Sequence, residues 1–478
     1  MANIPDDIFF EGIAAVNARW KAKEFSAVEL ARAFADRLER VGPRYNALAL
    51  SLREPAIRKA KDLDDERKRE RFRGPLQAVP FAVKDLLAVK GHPTTWGAKP
   101  YAGQVFDYTA TVVEKLVKTG GLLMGKLAMV ELAGGPSYRY AAASLQGPGL
   151  NPWDRTRWSG GSSSGSGAAV AAGLVPFALG SETSGSILTP ASFCGVTGLR
   201  PTYGLVSRYG AMALSWTLDK IGPLARSAED CGIVLQAISG GDSDDPGSAG
   251  KSFYYAPQFS RAMKDITIGY APVDFTDWPD PDARPALQKA LEDIKALGVQ
   301  VKETRLPDFP YGAILGTILG AEAASIFEEL VQSGKVDTLA DQRQIAGLKA
   351  AMDIPARDYL KAMRIRSLVQ DAFRQLLADV DVLVTPSRMS IAGKVADPLD
   401  RGSGATRPRP QDRGMSSAIP AGNLAGLPAL SMPCGFANDM PLGISLVGRP
   451  FTESTLIAMG RAYQTRTDWQ KRRLPGRG

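Results

Sequence analysis

Histidine is nearly absent: among 478 residues there is one, His92. A serine hydrolase of the usual kind takes its general base from histidine. His92 lies ahead of every serine-rich segment, so a Ser…Asp…His chain order is excluded. We read His92, in VKGHPTT, as a turn residue. Cysteine is almost as scarce. Cys194, Cys231 and Cys434 lie far apart without CxxC spacing, which excludes a disulfide framework and a zinc site and predicts buried, reduced thiols. No run of about 18 apolar residues occurs, and the opening MANIPDDIFFEG is acidic, without a basic segment leading into an apolar one. The expectation is a cytoplasmic protein with no membrane association. Charge of one sign is also lacking. Lys and Arg number 58 against 50 Asp and Glu, a net +8 gathered at Arg67–Arg73, Arg401–Arg413 and Lys471–Arg477 rather than along a stripe. The first of these reads as a solvated helix face, and no nucleic-acid module is present.

Apolar residues make up 44% and charged residues 23%, enough for a substantial core. The length permits one large unit, and we read residues 1–478 as a single domain. Its parts are N-terminal helices (1–70), a Gly/Ser-rich core (71–240), a variable, largely helical region (241–390), and a loop returning to the core sheet (391–478). Ser26 and Glu29 form a capping box ahead of Leu30, Phe34, Leu38 and Val41, one helical face stopped by Gly42-Pro43. KDITIGYAP, the helix Asp282–Leu297 and VQVKE make a βαβ pattern. VDVLVTPS, PALSMPCG and PLGISLVGRP add later strands, and Tyr311–Leu377 reads as helical. The Gly/Pro/Arg-rich stretch Ala392–Arg413 reads as a long surface loop that could serve as a lid.

From Ser159 to Gly167 every residue is Gly or Ser. Such a run usually marks a linker, but this one leads directly into AAVAAGLVPFALG, an apolar stretch that reads as a buried helix and strand. A second hydroxyl-rich cluster follows, GSETSGSILTPASFCG, with Ser186 lying 24 positions after Ser162. Two such loops flanking one buried element can supply hydroxyls and converging backbone N–H groups. The base must then be a lysine whose amine is neutral near pH 7. Lys84, interrupting the apolar PFAVKDLL, suits that role, though taken alone it reads equally as half of a buried ion pair with Asp85. Gly250-Lys251-Ser252 ends like a phosphate-binding loop, but Asp245 occupies the first glycine position. Ser248–Lys251 spells SxxK in a loop, where it lacks the helix such a motif needs.

The block GGSSSGSGAAVAAGLVPFALGSETSGSILTPASFCGVTGLRPTYGLVSRYG strongly resembles the signature of the amidase-signature family. VPFAVKDLL, NPWDRTR, NLAGLPALSMPCG and LVGRPF extend the resemblance over most of the chain. The fold it implies is α/β, with a mixed, twisted central β-sheet covered by helices on both faces. The catalytic residues it implies are Ser186 as nucleophile, Ser162 as a bridging serine after a cis peptide at Gly161, and Lys84 as base. Thr183, Ser184, Gly185 and Ser186 would supply the oxyanion hole through their backbone N–H groups. Met129, Gly134 and Gly135, within MVELAGGPSY, would form a pocket wall. No cofactor and no metal are implied. The nucleophile block departs from the family's usual TDTGGSIR: Glu182 replaces Asp, Ser184 replaces Gly and Leu188 replaces Arg.

One branch of the family is the glutamine-hydrolysing component of a tRNA-dependent amidotransferase. Its R-(I)-x-L-G segment has no clear match in Gly347–Met363. The expectation is therefore a stand-alone amidase acting on neutral, hydrophobic aryl or alkyl amides, extending to esters and carbamates (urethanes). Its partner would be a small molecule, with no nucleic acid and at most a second copy of itself. The amidotransferase component stands as the alternative.

Overall fold

The computed structural model describes residues 4–141, 143–399 and 414–474. Eleven strands form one sheet: β1 (Leu48–Ser51), β2 (Pro80–Lys84), β3 (Leu122–Leu127), β4 (Phe177–Glu182), β5 (Thr197–Arg200), β6 (Lys220–Ala225), β7 (Thr267–Tyr270), β8 (Gln300–Glu303), β9 (Val382–Pro386), β10 (Ala429–Ala437) and β11 (Met440–Gly448). Their spatial order is β1-β3-β2-β4-β6-β5-β10-β11-β9-β7-β8. Pairing is parallel between β2 and its neighbours β3 and β4, and again in β9-β7-β8, with antiparallel contacts between. The mixed sheet flanked by helices is the α/β architecture expected.

Local sequence explains most elements. The Ser26 hydroxyl accepts from Glu29 N at 3.1 Å while the Glu29 carboxylate accepts from Ser26 N at 2.9 Å, and the Ala27–Val41 helix buries Leu30, Phe34, Leu38 and Val41. β7, the Arg284–Lys295 helix and β8 form the expected βαβ unit with parallel strands. β8 lies at the sheet edge with all four residues exposed, which accounts for its alternating, charged sequence. β10 and β11 are buried at nearly every position and sit in the interior of the sheet. The region after Tyr311 is helical at Tyr311–Ile326, Gln342–Ala351 and Ala356–Asp379.

Two readings change. The Arg67–Arg73 segment is not a continuous helix face, because the helix Arg53–Lys68 ends inside it. Arg67 folds inward, donating to Phe25 O at 2.8 Å and to Trp20 O, so it ties the N-terminal helices together. Within the Gly/Ser run the helix starts earlier than the apolar stretch, at Ser164 rather than Ala168, since it is buried on every side and small residues are what fit there. All three cysteines are buried and unpaired. Among the described residues no helix is long and apolar enough to cross a membrane. The Arg401–Arg413 part of the expected lid lies outside the described residues.

Candidate active site

Lys84 is the last residue of β2 and is fully buried. Successive strand residues point to opposite faces, so Lys84 and Asp85 part company. Asp85 pairs with Lys126 at 2.8 Å, and both are buried. Lys84 has no carboxylate partner among the described residues; its Nζ lies 2.7 Å from Ser162 Oγ and 2.9 Å from Ser181 Oγ. Burial pulls its pKa down to about 7, against the opposing pull of the Asp219 and Glu182 charges.

Ser162 follows a cis peptide bond from Gly161. A Cβ on Gly161 would stand 2.6 Å from the Trp158 ring and 2.8 Å from Val130, so glycine is required by close approach. Val130 N donates to Ser162 O at 3.1 Å. The two hydroxyl-rich loops meet where Ser163 N donates to Ser186 O at 3.3 Å. Ser186 itself is 8% exposed and follows Gly185, whose φ of +85° favours glycine. Among the described residues, no hydrogen bond joins the Ser186 hydroxyl to Ser162, and the backbone N–H groups of Ser184, Gly185 and Ser186 have no acceptor. The arrangement presents a hydroxyl and a set of unengaged donors at one loop.

A buried carboxylate holds that loop. Glu182, at the end of β4, accepts from Ile187 N at 2.9 Å and Leu188 N at 3.0 Å through Oε2. Its Oε1 accepts from Arg200 Nη1 at 3.0 Å and Asn423 Nδ2 at 2.9 Å. Burial pushes the Glu182 carboxyl upward, but Arg200 and these donors outweigh it and hold it at about 2. Next along the chain, Thr183 Oγ1 donates to Asp219 at 2.5 Å, and Asp219 also accepts from Leu214 N at 2.7 Å and Ser215 N at 2.9 Å.

Two cavities flank the loop. The smaller, about 170 Å³, is lined by Ser181, Thr183, Asp219 and Lys220 with Ala133 and Met212. The larger, about 700 Å³, is lined by Ser184, Leu188, Thr189, Phe193, Arg200 and Arg388 among others. Its size suits a small organic molecule. Met129, Gly134 and Gly135 line neither cavity. Their segment instead backs the Gly161–Ser162 bond: the Tyr138 hydroxyl is 3.3 Å from the position of a Gly161 Cβ, and a Cβ on Gly134 would strike the Tyr138 ring at 2.5 Å. His92 sits in a turn, its backbone N–H donating to Val89 O at 3.0 Å. Among the described residues no group of three His, Cys, Asp or Glu could hold a metal ion.

Sequence reasoning missed Ser181, Asp219, Arg200, Asn423 and Arg388. A signal existed for some of them: Glu182 closing the apolar FALGSE and Arg200 closing TGLR are charges in buried strands, which must pair. Nothing local marks Arg388, since its neighbours in the site arrive from distant segments.

A model of the amidase family matches residues 29–457. The A subunit of glutamyl-tRNA(Gln) amidotransferase from Carboxydothermus hydrogenoformans is 36% identical, covering 98% of this chain and 99% of its own length. Among solved structures, the protein of the same name from Thermotoga maritima aligns with a TM-score of 0.76 at 28% identity, over 97% of this chain and 96% of that one. The native peptide amidase from Stenotrophomonas maltophilia aligns with a TM-score of 0.81 at 28% identity, over 96% and 97%. These relatives overturn two expectations. A stand-alone hydrolase of hydrophobic aryl or alkyl amides, esters and carbamates is not supported, because the curated relatives matched end to end are named as components of an amidotransferase. The expectation of a small-molecule partner with no nucleic acid fails on the same ground, since that name carries an aminoacyl-tRNA. The missing R-(I)-x-L-G match misleads because it sets one short segment against likeness spread along the whole chain.

Proposed function

The chain belongs to the amidase family, hydrolases of carbon–nitrogen bonds, and from that premise we propose that it is the glutamine-hydrolysing component of a tRNA-dependent amidotransferase. One observation carries the reading: relatives bearing that name match at 36% identity over 98% of the chain. Three residues do the chemistry. Neutral Lys84 accepts a proton through Ser162 as Ser186 Oγ attacks the side-chain amide carbon of glutamine. The backbone N–H groups of Thr183, Ser184, Gly185 and Ser186 receive the oxyanion. Collapse breaks the C–N bond, the relay returns the proton to the leaving nitrogen, and ammonia departs for amidation of a tRNA-borne glutamate on a partner protein. Water then frees glutamate from the Ser186 ester. The open Ser186–Ser162 contact fits this scheme, since catalytic hydrogen bonds of free enzymes often close only when substrate seats.

In this reading the whole chain acts as one unit, with residues 241–390 contributing Trp278, Asp280 and Thr385–Ser390 to the larger cavity. A cytoplasmic location goes with it, supported by three unpaired buried thiols. The test is glutamine-dependent conversion of Glu-tRNA(Gln) by the chain reconstituted with the other amidotransferase components, for wild type, Ser186→Ala and Lys84→Ala. Conversion by wild type alone supports the reading. Turnover of aryl acylamides by the isolated chain, with no glutamine turnover in the reconstituted assembly, would sink it.

A further inference from the structure

Two guanidinium groups reach the larger cavity, and they differ in how they are paired. Arg200 is matched by Glu182 at 3.0 Å, both fully buried. Arg388, two residues beyond β9, has no carboxylate within ion-pair distance among the described residues. Its hydrogen-bond partner is a hydroxyl: Thr189 Oγ1 accepts from Nε at 3.0 Å and also from Nη2. A guanidinium carries five N–H donors in a planar fork that matches a carboxylate, so most of this fork is uncommitted. Its place is informative too. Arg388 Nη2 lies 3.4 Å from where a Cβ on Gly185 would stand, directly beside the loop that bears Ser186. Withholding a countercharge from a cation in a cavity wall is costly unless something else supplies one.

A second observation points to the same kind of occupant. Arg200 Nη2 and Thr385 Oγ1 are buried polar atoms without a hydrogen-bond partner, and both residues line this cavity. Buried donors are satisfied as a rule. The wall also carries Asp280 and Asp397, so the cavity holds charges of both signs, as a ligand with both a carboxylate and an ammonium group requires.

We propose that Arg388 is the substrate-carboxylate anchor, a specificity-determining residue that makes the amides cleaved at Ser186 ones that carry a carboxylate. The proposal rests on the glutamine reading and deepens it, and it assigns the anchor to the segment after β9 rather than to the Met129–Tyr138 wall. Thr189 orients the fork by accepting from one edge of it, leaving the other edge to the ligand.

Binding to the Ser186→Ala chain tests this without turnover. Three probes are titrated calorimetrically: glutamine, glutaramate (amide and carboxylate without the ammonium) and pentanamide (amide alone). Arg388→Gln should raise Kd for glutamine and glutaramate about 30-fold and leave pentanamide within about twofold, since a hydrogen bond to a charged group contributes roughly 2 kcal/mol. Arg388→Lys should recover part of the loss, and retained pentanamide binding shows that the variant is folded. Equal weakening for all three probes would mean that Arg388 only positions Thr189, and would overturn the proposal. So would no change, or a parent chain that binds pentanamide as tightly as the carboxylates or binds neither carboxylate. Binding of glutaramate but not glutamine, lost in Arg388→Gln, would keep the anchor and remove glutamine as the substrate.

Discussion

At the scale of the residue, the site depends on two buried charges treated in opposite ways. Lys84 has no carboxylate partner among the described residues, and burial therefore pulls its pKa to about 7. A base works in its deprotonated form, so kcat/KM should rise about tenfold per pH unit below 7 and level off above it. A pH–rate profile on an uncharged amide checks this, and Lys84→Ala should lower the plateau by about 10²- to 10⁴-fold. Glu182 is the reverse case. Its folded carboxyl is held at about 2, below its ordinary 4.5, so the stability it contributes is fully present above pH 4.5 and disappears as pH falls toward 2. Glu182→Gln leaves Arg200 buried with no countercharge, which should cost about 3–5 kcal/mol in denaturant unfolding. The acid limb between pH 4.5 and 2 should shrink in the same variant. An unfolding midpoint equal to wild type would show that Glu182 is dispensable to the loop.

At the scale of the element, glycine lets the Ser164–Ala171 helix sit where it carries the Ser162 loop onto the sheet. A Cβ on Gly165 would meet Ala47 O at 2.6 Å and Ala128 N and O at 2.7 Å, all backbone atoms that cannot swing aside. Alanine gains about 1 kcal/mol over glycine in a helix interior, while overpacking costs about 1–3 kcal/mol. Overpacking should win, so Gly165→Ala should lower both melting temperature and activity. Either quantity rising would show that the helix has room to move. The N-terminal helix offers a control remote from the site: Ser26→Ala removes the cap and should cost about 1 kcal/mol with unchanged kcat. Capping boxes, βαβ periodicity and Gly stops were legible in the sequence because each is set by neighbours within a few residues.

At the scale of the whole molecule, the sheet order places the last two strands in its interior. β10 pairs with β5, β11 pairs with β9, and the βαβ unit joins the sheet through β9. Truncation before Ala429 removes both strands and so separates β5 from β9. The truncated chain should show no cooperative thermal transition by circular dichroism; a sharp transition near the full-length midpoint would show that the two halves fold independently.

What the sequence alone determined was local: the strand and helix types, the small residues of the two hydroxyl loops, and the three side chains Lys84, Ser162 and Ser186 marked by a lysine and two serine clusters in apolar surroundings. The tertiary structure decided the rest. It sent Asp85 to Lys126, set Glu182 between Arg200, Asn423 and the loop backbone, and brought Arg388 to Thr189 across 199 positions of chain. The physical reason is that a buried charge is settled by whichever partner the packed core brings within hydrogen-bonding reach, and sheet order, not distance along the chain, chooses that partner.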